Sequence, residues 1–248
     1  MSVLWERHTN GTHYSVRQAG ASVRLYTNGV YHTQWNPKKP LAGAVWDCLS
    51  LPVLYRTVES TKRILLLGLG GGAVVRQLEI LCDFDELMAI ELDPNHVFIA
   101  QEWFGVNNSN TQIILADAIK WIKQYKGPPF DLIIDDLFFE KNGEPERAQA
   151  LNSAWLKKLS NLLEEEGLLV INTVHRSELD QTTPIFRRLG FEQGVRLSVP
   201  QYDNAIGVIS KRALSKEHWF AQLKSSQLSA PMKRQAVAVK RRQFFTSR

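Results

Sequence analysis

Short apolar runs alternate with longer amphipathic stretches through the middle of the chain. Runs this short are typical of buried strands, and stretches with apolar residues every three or four positions are typical of helices. Strands that alternate with helices predict a parallel sheet covered on both faces. The predicted strands span 63–67, 87–91, 112–115, 131–134 and 168–172, and the predicted helices span 42–55, 73–81, 95–103, 118–125 and 148–163.

The two ends of this region follow a different pattern. Polar and apolar residues alternate over 13–35, and Asn28-Gly29 predicts a tight hairpin turn there. A second pair of short strands, 195–199 and 205–210, predicts an antiparallel hairpin at the end of the sheet. The predicted fold is α/β, a doubly wound, mostly parallel Rossmann-like sheet with a terminal antiparallel hairpin and a small N-terminal β unit. We divide the chain into an N-terminal β-hairpin unit (1–40), a nucleoside-binding domain (41–212) and a basic, helical C-terminal tail (213–248).

Composition argues against a membrane protein and against a metal or disulfide framework. The longest apolar stretch, 64–75, is interrupted by four glycines and falls short of the roughly 20 residues that a membrane-spanning helix needs. The N-terminus MSVLWERH has no apolar signal core. Cys48 and Cys82 form no metal-binding pair and are expected to be buried, reduced thiols. We therefore expect a cytoplasmic protein with no bound metal and no membrane partner.

The net charge of +5 is concentrated in the C-terminal tail. Eight basic residues and one acidic residue follow residue 212, whereas the preceding part carries 22 basic and 24 acidic residues. Such a tail could contact nucleic acid or acidic lipids. It could equally be a solvated helix packed on the body through Trp219, Phe220, Leu223 and Leu228. We favour packing, because aromatic spacing suited to bases is absent, and nucleic acid is not an expected partner.

Candidate binding residues lie in the loop after the first strand of the parallel sheet. In such sheets, ligands bind beyond the carboxyl ends of the strands. Gly68, Gly70 and Gly72 would let a nucleoside approach the backbone, although glycine-rich turns also arise for packing alone. Glu91 follows Gly70 by 21 residues, the spacing expected for an acid that holds ribose hydroxyls. Leu92, directly after this acid, is assigned to the same site.

The loops after the later strands carry acids. Asp117-Ala118 could bind an exocyclic adenine amine, although an aspartate directly before a helix is also a good N-cap. Asp135 and Asp136 begin an acidic and aromatic loop that could orient a cationic acceptor or remove its proton. We assign Asp117, Ala118 and Asp135 to cofactor binding. The candidate catalytic residues are Asp136, Glu140 and His175, the last of which follows the fifth strand.

Four sets of residues carry a resemblance to a known family: Ile90-Glu91-Leu92-Asp93-Pro94-Asn95 with Phe104-Gly105, Phe130-Asp131-Leu132-Ile133-Ile134 with Asp136, Asn28-Gly29-Val30, and Pro200, Tyr202 and the strand up to Lys211. They resemble the spermidine synthase family, the polyamine aminopropyltransferases, a branch of the class I S-adenosylmethionine-dependent methyltransferase fold. The resemblance covers roughly residues 23–211, in the right order and spacing. It implies a donor that is S-adenosylmethionine or its decarboxylated form, and a homodimer.

Three positions depart from the family pattern. Gly71 stands where the family has an aspartate that holds the amine of the aminopropyl donor, and Phe139 stands where it has a second aspartate that deprotonates the attacking amine. Ala44 stands at the position where the family has a tyrosine that gates the site. Because a diamine is costly to bind without charged partners, ordinary aminopropyl transfer to putrescine is not expected.

Several functions therefore remain open. We favour methyl transfer from S-adenosylmethionine to an unidentified small-molecule or protein acceptor, with Asp136 near the reacting centre. The alternative is an aminopropyltransferase of polyamine biosynthesis that uses decarboxylated S-adenosylmethionine. The spacing Gly68-x-Gly70-x-x-Ala73 with Glu91 also fits an NAD-dependent oxidoreductase, and a non-catalytic nucleoside-binding protein is a further alternative.

Overall fold

The N-terminal strands form a sheet of their own. The computed structural model describes residues 1–141 and 144–247, without the side chains of Val58, Glu140, Lys141 and Glu144. The four strands are β1 (Ser2–Thr9), β2 (Thr12–Ala19), β3 (Ser22–Thr27) and β4 (Val30–Trp35), and each is antiparallel to the next. Asn28 and Gly29 turn β3 into β4 with positive φ angles of 51° and 82°, as a tight hairpin turn requires.

The rest of the chain builds an eight-stranded sheet with helices on both faces. The strand order is β14-β12-β13-β11-β8-β5-β6-β7, in which β11, β8, β5, β6 and β7 are parallel and the other pairs are antiparallel. This confirms the predicted sheet with its antiparallel hairpin. The elements are α1 (Val45–Ser50), β5 (Arg63–Leu67), α2 (Ala73–Leu81), β6 (Glu86–Glu91), α3 (Pro94–Glu102), β7 (Thr111–Leu115), α4 (Ala118–Gln124), β8 (Phe130–Asp135), β9 (Phe138–Lys141), β10 (Glu144–Arg147), α5 (Ser153–Asn161), β11 (Leu163–Thr173), α6 (Arg176–Gln181), α7 (Thr183–Arg188), β12 (Gln193–Ser198), β13 (Ala205–Ser210), α8 (Lys216–Ser225), α9 (Ala230–Ala238) and β14 (Lys240–Thr246).

Three local differences separate the structure from the sequence expectation. The helix expected over 42–55 is α1 followed by a 3-10 helix, Leu51–Tyr55, with Pro52 in its first turn. The helix expected from residue 148 begins only at Ser153, because Asn152 caps it by accepting a hydrogen bond from the Trp155 backbone. The hairpin of β9 and β10 occupies much of the segment before it.

The basic tail is packed against the body and adds an edge strand to the main sheet. Trp219 is fully buried, and its indole N–H donates to the carbonyl of Leu51. The guanidinium of Arg241 lies 3.6 Å from the centre of the Trp219 ring. Strand β14 then pairs antiparallel with β12. The tail therefore contains two helices and a strand, whereas the sequence indicated helix alone.

The core consists of two apolar layers, one on each face of the main sheet. Strand β5 shows the division, since Ile64 and Leu66 belong to one layer and Leu65 and Leu67 to the other. The N-terminal sheet joins the first layer through buried side chains that include Val16 and Leu25. Within the part of the chain that the structure describes, no helix is long and apolar enough to cross a membrane.

Candidate active site

The glycine-rich loop joins β5 to α2 at the carboxyl edge of the sheet. Gly68, Gly70 and Gly72 have positive φ angles of 88°, 53° and 85°, which side chains rarely adopt. A Cβ atom at Gly68 would also collide with the backbone oxygen of Asp136. The Asp136 N–H donates to the carbonyl of Leu67 at 2.9 Å. The loop therefore lies directly against the acidic loop that follows β8.

Glu91 ties this loop to the one that follows β6. Its Oε2 accepts hydrogen bonds from the backbone N–H groups of Leu69 and Gly70, at 2.9 and 3.1 Å. Its Oε1 accepts from those of Leu92 and Asp93, at 2.8 and 2.9 Å. A carboxylate has about four acceptor sites, so the backbone uses all of them. In this arrangement Glu91 shapes both loops, and a ribose hydroxyl would have to share or replace one of these bonds. The ribose contact stays a prediction.

Exposed apolar side chains lie beside Glu91. Leu92 is 70% exposed and Leu115 is 57% exposed, and Leu115 pairs with Glu91 across β6 and β7. Large apolar side chains left open at the ligand-binding edge of a parallel sheet suit the flat face of a base. These residues therefore fit the adenosine part of the predicted donor.

Asp117 performs the capping task at this edge. Its Oδ1 accepts hydrogen bonds from the backbone N–H groups of Ile119 and Lys120, at 2.9 and 3.2 Å, at the start of α4. Ala118 is the first residue of that helix and is buried. Contact of either residue with an adenine amine stays a prediction.

The space beside Gly71 is filled by the side chains of Thr33 and Phe104. A Cβ atom there would lie 2.7 Å from the Thr33 methyl carbon and 2.9 Å from the Phe104 ring. Thr33 belongs to β4, so the N-terminal sheet supplies one of the two side chains that fill this space. An aspartate at position 71 would require these neighbours to move. The donor site thus has no carboxylate at this position and little space to add one.

Asp135 and Asp136 occupy different surroundings at the end of β8. Asp135 is fully buried, and its Oδ2 accepts hydrogen bonds from Arg147 and from the Trp155 indole, both at 2.8 Å. Asp136 accepts a 2.7 Å hydrogen bond from the Asn172 amide. Burial raises the pKa of Asp136 to about 7; the neighbouring Asp135 carboxylate also raises it, whereas the Asn172 hydrogen bond and the Arg147 charge oppose the rise. Asp135 is therefore held in a buried ion pair with Arg147, and its contact with a cofactor stays a prediction. Asp136 can take up or release a proton near neutral pH.

A polar network extends from Asp136 towards the turn between β12 and β13. The side-chain oxygen of Asn172 accepts a 2.9 Å hydrogen bond from the Asn204 amide, and the backbone carbonyl of Asn172 accepts one from the Arg147 guanidinium. None of these three residues is among the site residues predicted from the sequence. Asn172 could have been found from its position near the carboxyl end of a strand, like the acids that were named. Arg147 could not, because it lies on a hairpin that the sequence pattern did not predict.

A cavity of about 1020 Å³ adjoins this network, since Arg147 and Asn204 line it. It is bounded by β10, the start of α6 and the turn at 201–204, and three acidic side chains, Glu146, Glu178 and Asp203, line it together with Arg147, His175 and Tyr202. His175 directly precedes α6, and its N–H donates to Glu178 at 2.7 Å. The side chain of Glu140 lies outside the described part of the chain. Asp136 thus contacts the glycine-rich loop through its backbone and is linked, through Asn172, to Arg147 and Asn204, which line this cavity.

More than half of the chain matches the model of one protein family. Residues 51–185 match the model of the spermine/spermidine synthase domain. The chain belongs to this family. The predicted resemblance is therefore confirmed.

The curated relatives include enzymes of two activities. The chain is 33% identical to a polyamine aminopropyltransferase of Vibrio vulnificus over 144 residues, which cover 56% of this chain and 47% of that protein. It is 27% identical to polyamine aminopropyltransferase 2 of Caldanaerobacter subterraneus over 119 residues, covering 47% of this chain and 39% of that one. It is 26% identical to the human eEF1A lysine and N-terminal methyltransferase over 131 residues, covering 48% and 18%. The matched region spans less than half the length of these relatives.

Solved structures show the same fold. A probable spermidine synthase from Corynebacterium glutamicum aligns with a TM-score of 0.73 and 14% identity, over 98% of this chain and 91% of that chain. Human methyltransferase-like protein 13 in complex with SAH aligns with a TM-score of 0.58 and 20% identity, over 80% and 91%. The predicted class I methyltransferase-type fold is confirmed.

Proposed function

We propose that the chain is a transferase that moves an aminopropyl group from decarboxylated S-adenosylmethionine to an amine. The family match and the aminopropyltransferase relatives support this reaction, the alternative of the sequence analysis, better than methyl transfer. The observation that carries the proposal is the position of Asp136, a carboxyl with a pKa of about 7 that lies against the glycine-rich loop and is linked through Asn172 to residues lining the acidic cavity.

The donor would be held at the carboxyl edge of the sheet. The glycine-rich loop offers backbone to its nucleoside, and Leu92 and Leu115 offer apolar surface to its adenine. When bound, the donor supplies a carbon atom activated by the adjacent sulfonium. The chain's own residues then have to orient an amine and remove its proton.

Asp136 is suited to remove that proton. An amine attacks only after its nitrogen lone pair is free, so the ammonium must first lose a proton. With a pKa of about 7, the Asp136 carboxyl is ionised in a large fraction of molecules at neutral pH and is basic enough to accept the proton. Asn172 holds the carboxylate through its amide.

The acceptor is proposed to be a cationic amine in the acidic cavity. Glu146, Glu178 and Asp203 line this cavity, and their charges attract an ammonium group. Its volume of about 1020 Å³ exceeds what a short diamine fills. We therefore propose an amine larger than putrescine. Homodimerisation and a cytoplasmic location stay predictions.

Methyl transfer is the second candidate, and Gly71 is the observation that favours it. No carboxylate stands at this position to hold the donor's amine, and Thr33 and Phe104 close the space. An uncharged wall tolerates the methionine carboxylate of S-adenosylmethionine, which an aspartate would repel.

A ligand panel tests the donor class. A compound that binds only the folded state raises the melting temperature by mass action. We expect decarboxylated S-adenosylmethionine and methylthioadenosine to raise it and NAD to have no effect. Leu92→Ser should reduce the rise in melting temperature. Val237→Ser, which changes a 50% exposed apolar residue on α9 of the C-terminal tail, should not. A shift with NAD alone would overturn the proposal in favour of an oxidoreductase.

A further inference from the structure

Basic side chains gather on one face of the sheet edge formed by β12 and β14. Arg196 pairs directly with Arg242, and Ser198 pairs with Lys240. Alternate residues of a strand share a face, so Arg196, Lys240 and Arg242 lie on the same face. Arg241 points to the other face, over the Trp219 ring. Two cross-strand neighbours of like charge are unfavourable unless something neutralises them.

A small cavity lies beside this face, and we call it the basic pocket. It has a volume of about 310 Å³ and is lined by Arg176, Arg196 and Lys240 together with Ser198, Asp203 and Asn204. Arg176 comes from α6, so two separate parts of the fold direct cations at the same space.

Negative charge around the basic pocket is scarce. Asp180 pairs with both Arg196 and Arg176, at 3.2 and 3.4 Å. In the described part of the chain, no other carboxylate lies within ion-pair distance of these arginines, and none lies within that distance of Lys240. Asp203 lines the pocket without such a pair. The cations thus outnumber the carboxylates that could neutralise them.

Arg196 is the most enclosed of these cations. Its side chain is 11% exposed. Burial lowers the pKa of Arg196, the positive charges of Arg176 and Arg242 lower it further, and Asp180 opposes the change. An enclosed guanidinium with one shared partner retains donor groups for another anion.

We infer that the basic pocket binds a phosphate-type anion. Guanidinium groups present planar, paired N–H donors that match phosphate oxygens, and a lysine adds a point charge. The volume of about 310 Å³ suits a small anionic group. This assignment does not depend on which group the enzyme transfers.

The basic pocket adjoins the acidic cavity. Tyr202, Asp203 and Asn204 line both. The anion is therefore either free phosphate or a phosphate group carried by an amine whose cationic end lies near Asp203. The chemistry recognised is the same in both cases.

Titration calorimetry with inorganic phosphate, at constant ionic strength in chloride, tests the assignment. We expect Arg196→Gln to weaken binding by at least about ten-fold, the effect of losing a hydrogen bond to a charged group. Lys240→Gln, at an exposed position, should weaken it less without affecting the fold. Arg212→Gln removes the same charge from an exposed arginine that pairs with Glu166, and it should leave binding unchanged.

A second titration distinguishes the two sources of the anion. Phosphoethanolamine that binds more tightly than inorganic phosphate, with the gain lost in Asp203→Asn, would assign the phosphate to an amine ligand. Equal affinities would assign the pocket to free phosphate. Absence of binding by either compound to the wild-type protein would overturn the inference. Equal binding by wild type, Arg196→Gln and Lys240→Gln would overturn it as well.

Discussion

Asp135 and Asp136 are adjacent in sequence and have opposite surroundings. Asp135 is fully buried and accepts hydrogen bonds from the Arg147 guanidinium and the Trp155 indole, whereas Asp136 accepts one from the uncharged Asn172 amide and has no ion pair among the described residues. Asp135 is thereby held in a buried ion pair, and Asp136 keeps a proton available near neutral pH. The division of roles depends on the side chain that faces each carboxyl.

The pH dependence of transfer tests the role of Asp136. Its pKa is raised from 3.8 to about 7, so the carboxyl becomes protonated below neutral pH and can no longer act as a base. We expect kcat/KM to fall as the pH is lowered through about 7. Asp136→Asn should reduce transfer by roughly 10²- to 10⁴-fold, the usual contribution of a general base. A pH-independent rate with an active Asp136→Asn variant would contradict this role.

The same carboxyl links stability to pH. The folded protein holds this proton up to about pH 7, whereas the unfolded chain releases it near 3.8. The folded state therefore binds more protons between these values, and this contribution to stability is present below pH 3.8 and lost as the pH rises through about 7. Asp136→Asn should gain stability relative to wild type over this window, measured by denaturant unfolding at several pH values.

Glu91 combines a structural task with its predicted contact to the donor. Removing its carboxylate in Glu91→Ala leaves four backbone N–H groups without this acceptor. We expect donor affinity to fall by about 1.5–3 kcal/mol in calorimetry, the range for a hydrogen bond to a charged group. Glu102→Ala, at an exposed acid on α3, is the matched control and should not change it. Unchanged donor affinity in Glu91→Ala would remove this residue from the site.

At the scale of loops and strands, the glycine-rich loop and the acidic loop respond differently to the acids found in the family. Phe139 is 43% exposed, so Phe139→Asp should fold like wild type and favour the decarboxylated donor. Gly71→Asp should lower the melting temperature, because its Cβ would press on Thr33 and Phe104. Gly71→Asp combined with Phe104→Leu should recover part of that loss. A Gly71→Asp protein as stable as wild type would contradict this prediction and show that Thr33 and Phe104 can move aside without cost.

The elements that sequence could predict are those set by local pattern. The alternation of apolar runs and helical stretches located the parallel strands, and the spacing from Gly70 to Glu91 located two loops that the structure joins by hydrogen bonds. The hairpin of β9 and β10 escaped prediction because its strands, FFEK and EPER, are short and mostly charged and show no alternation of apolar and polar residues. The pairing of β14 with β12 escaped prediction because it joins segments that are distant in the chain. The position of Thr33 next to Gly71 could not be predicted for the same reason, because Thr33 belongs to the N-terminal sheet.

For the molecule as a whole, the N-terminal sheet is the expected dimer contact. Among the described strands, β1 pairs only with β2, and its Val3 is exposed. Other side chains of this sheet, such as Val16 and Leu25, are buried in the core of the body. We expect a homodimer by sedimentation at high micromolar concentration, and loss of solubility when residues 1–35 are deleted. A monomer at that concentration, or a soluble truncated protein, would contradict this.

The reaction itself is tested most directly by the by-products of the two donors. Wild-type protein is incubated with a mixture of amines and either decarboxylated S-adenosylmethionine or S-adenosylmethionine, with Asp136→Asn as the control. Our account predicts methylthioadenosine from the decarboxylated donor, dependent on added amine and lost in Asp136→Asn. S-adenosylhomocysteine from the carboxylated donor, without amine-dependent methylthioadenosine from the other, would contradict aminopropyl transfer and establish the chain as a methyltransferase.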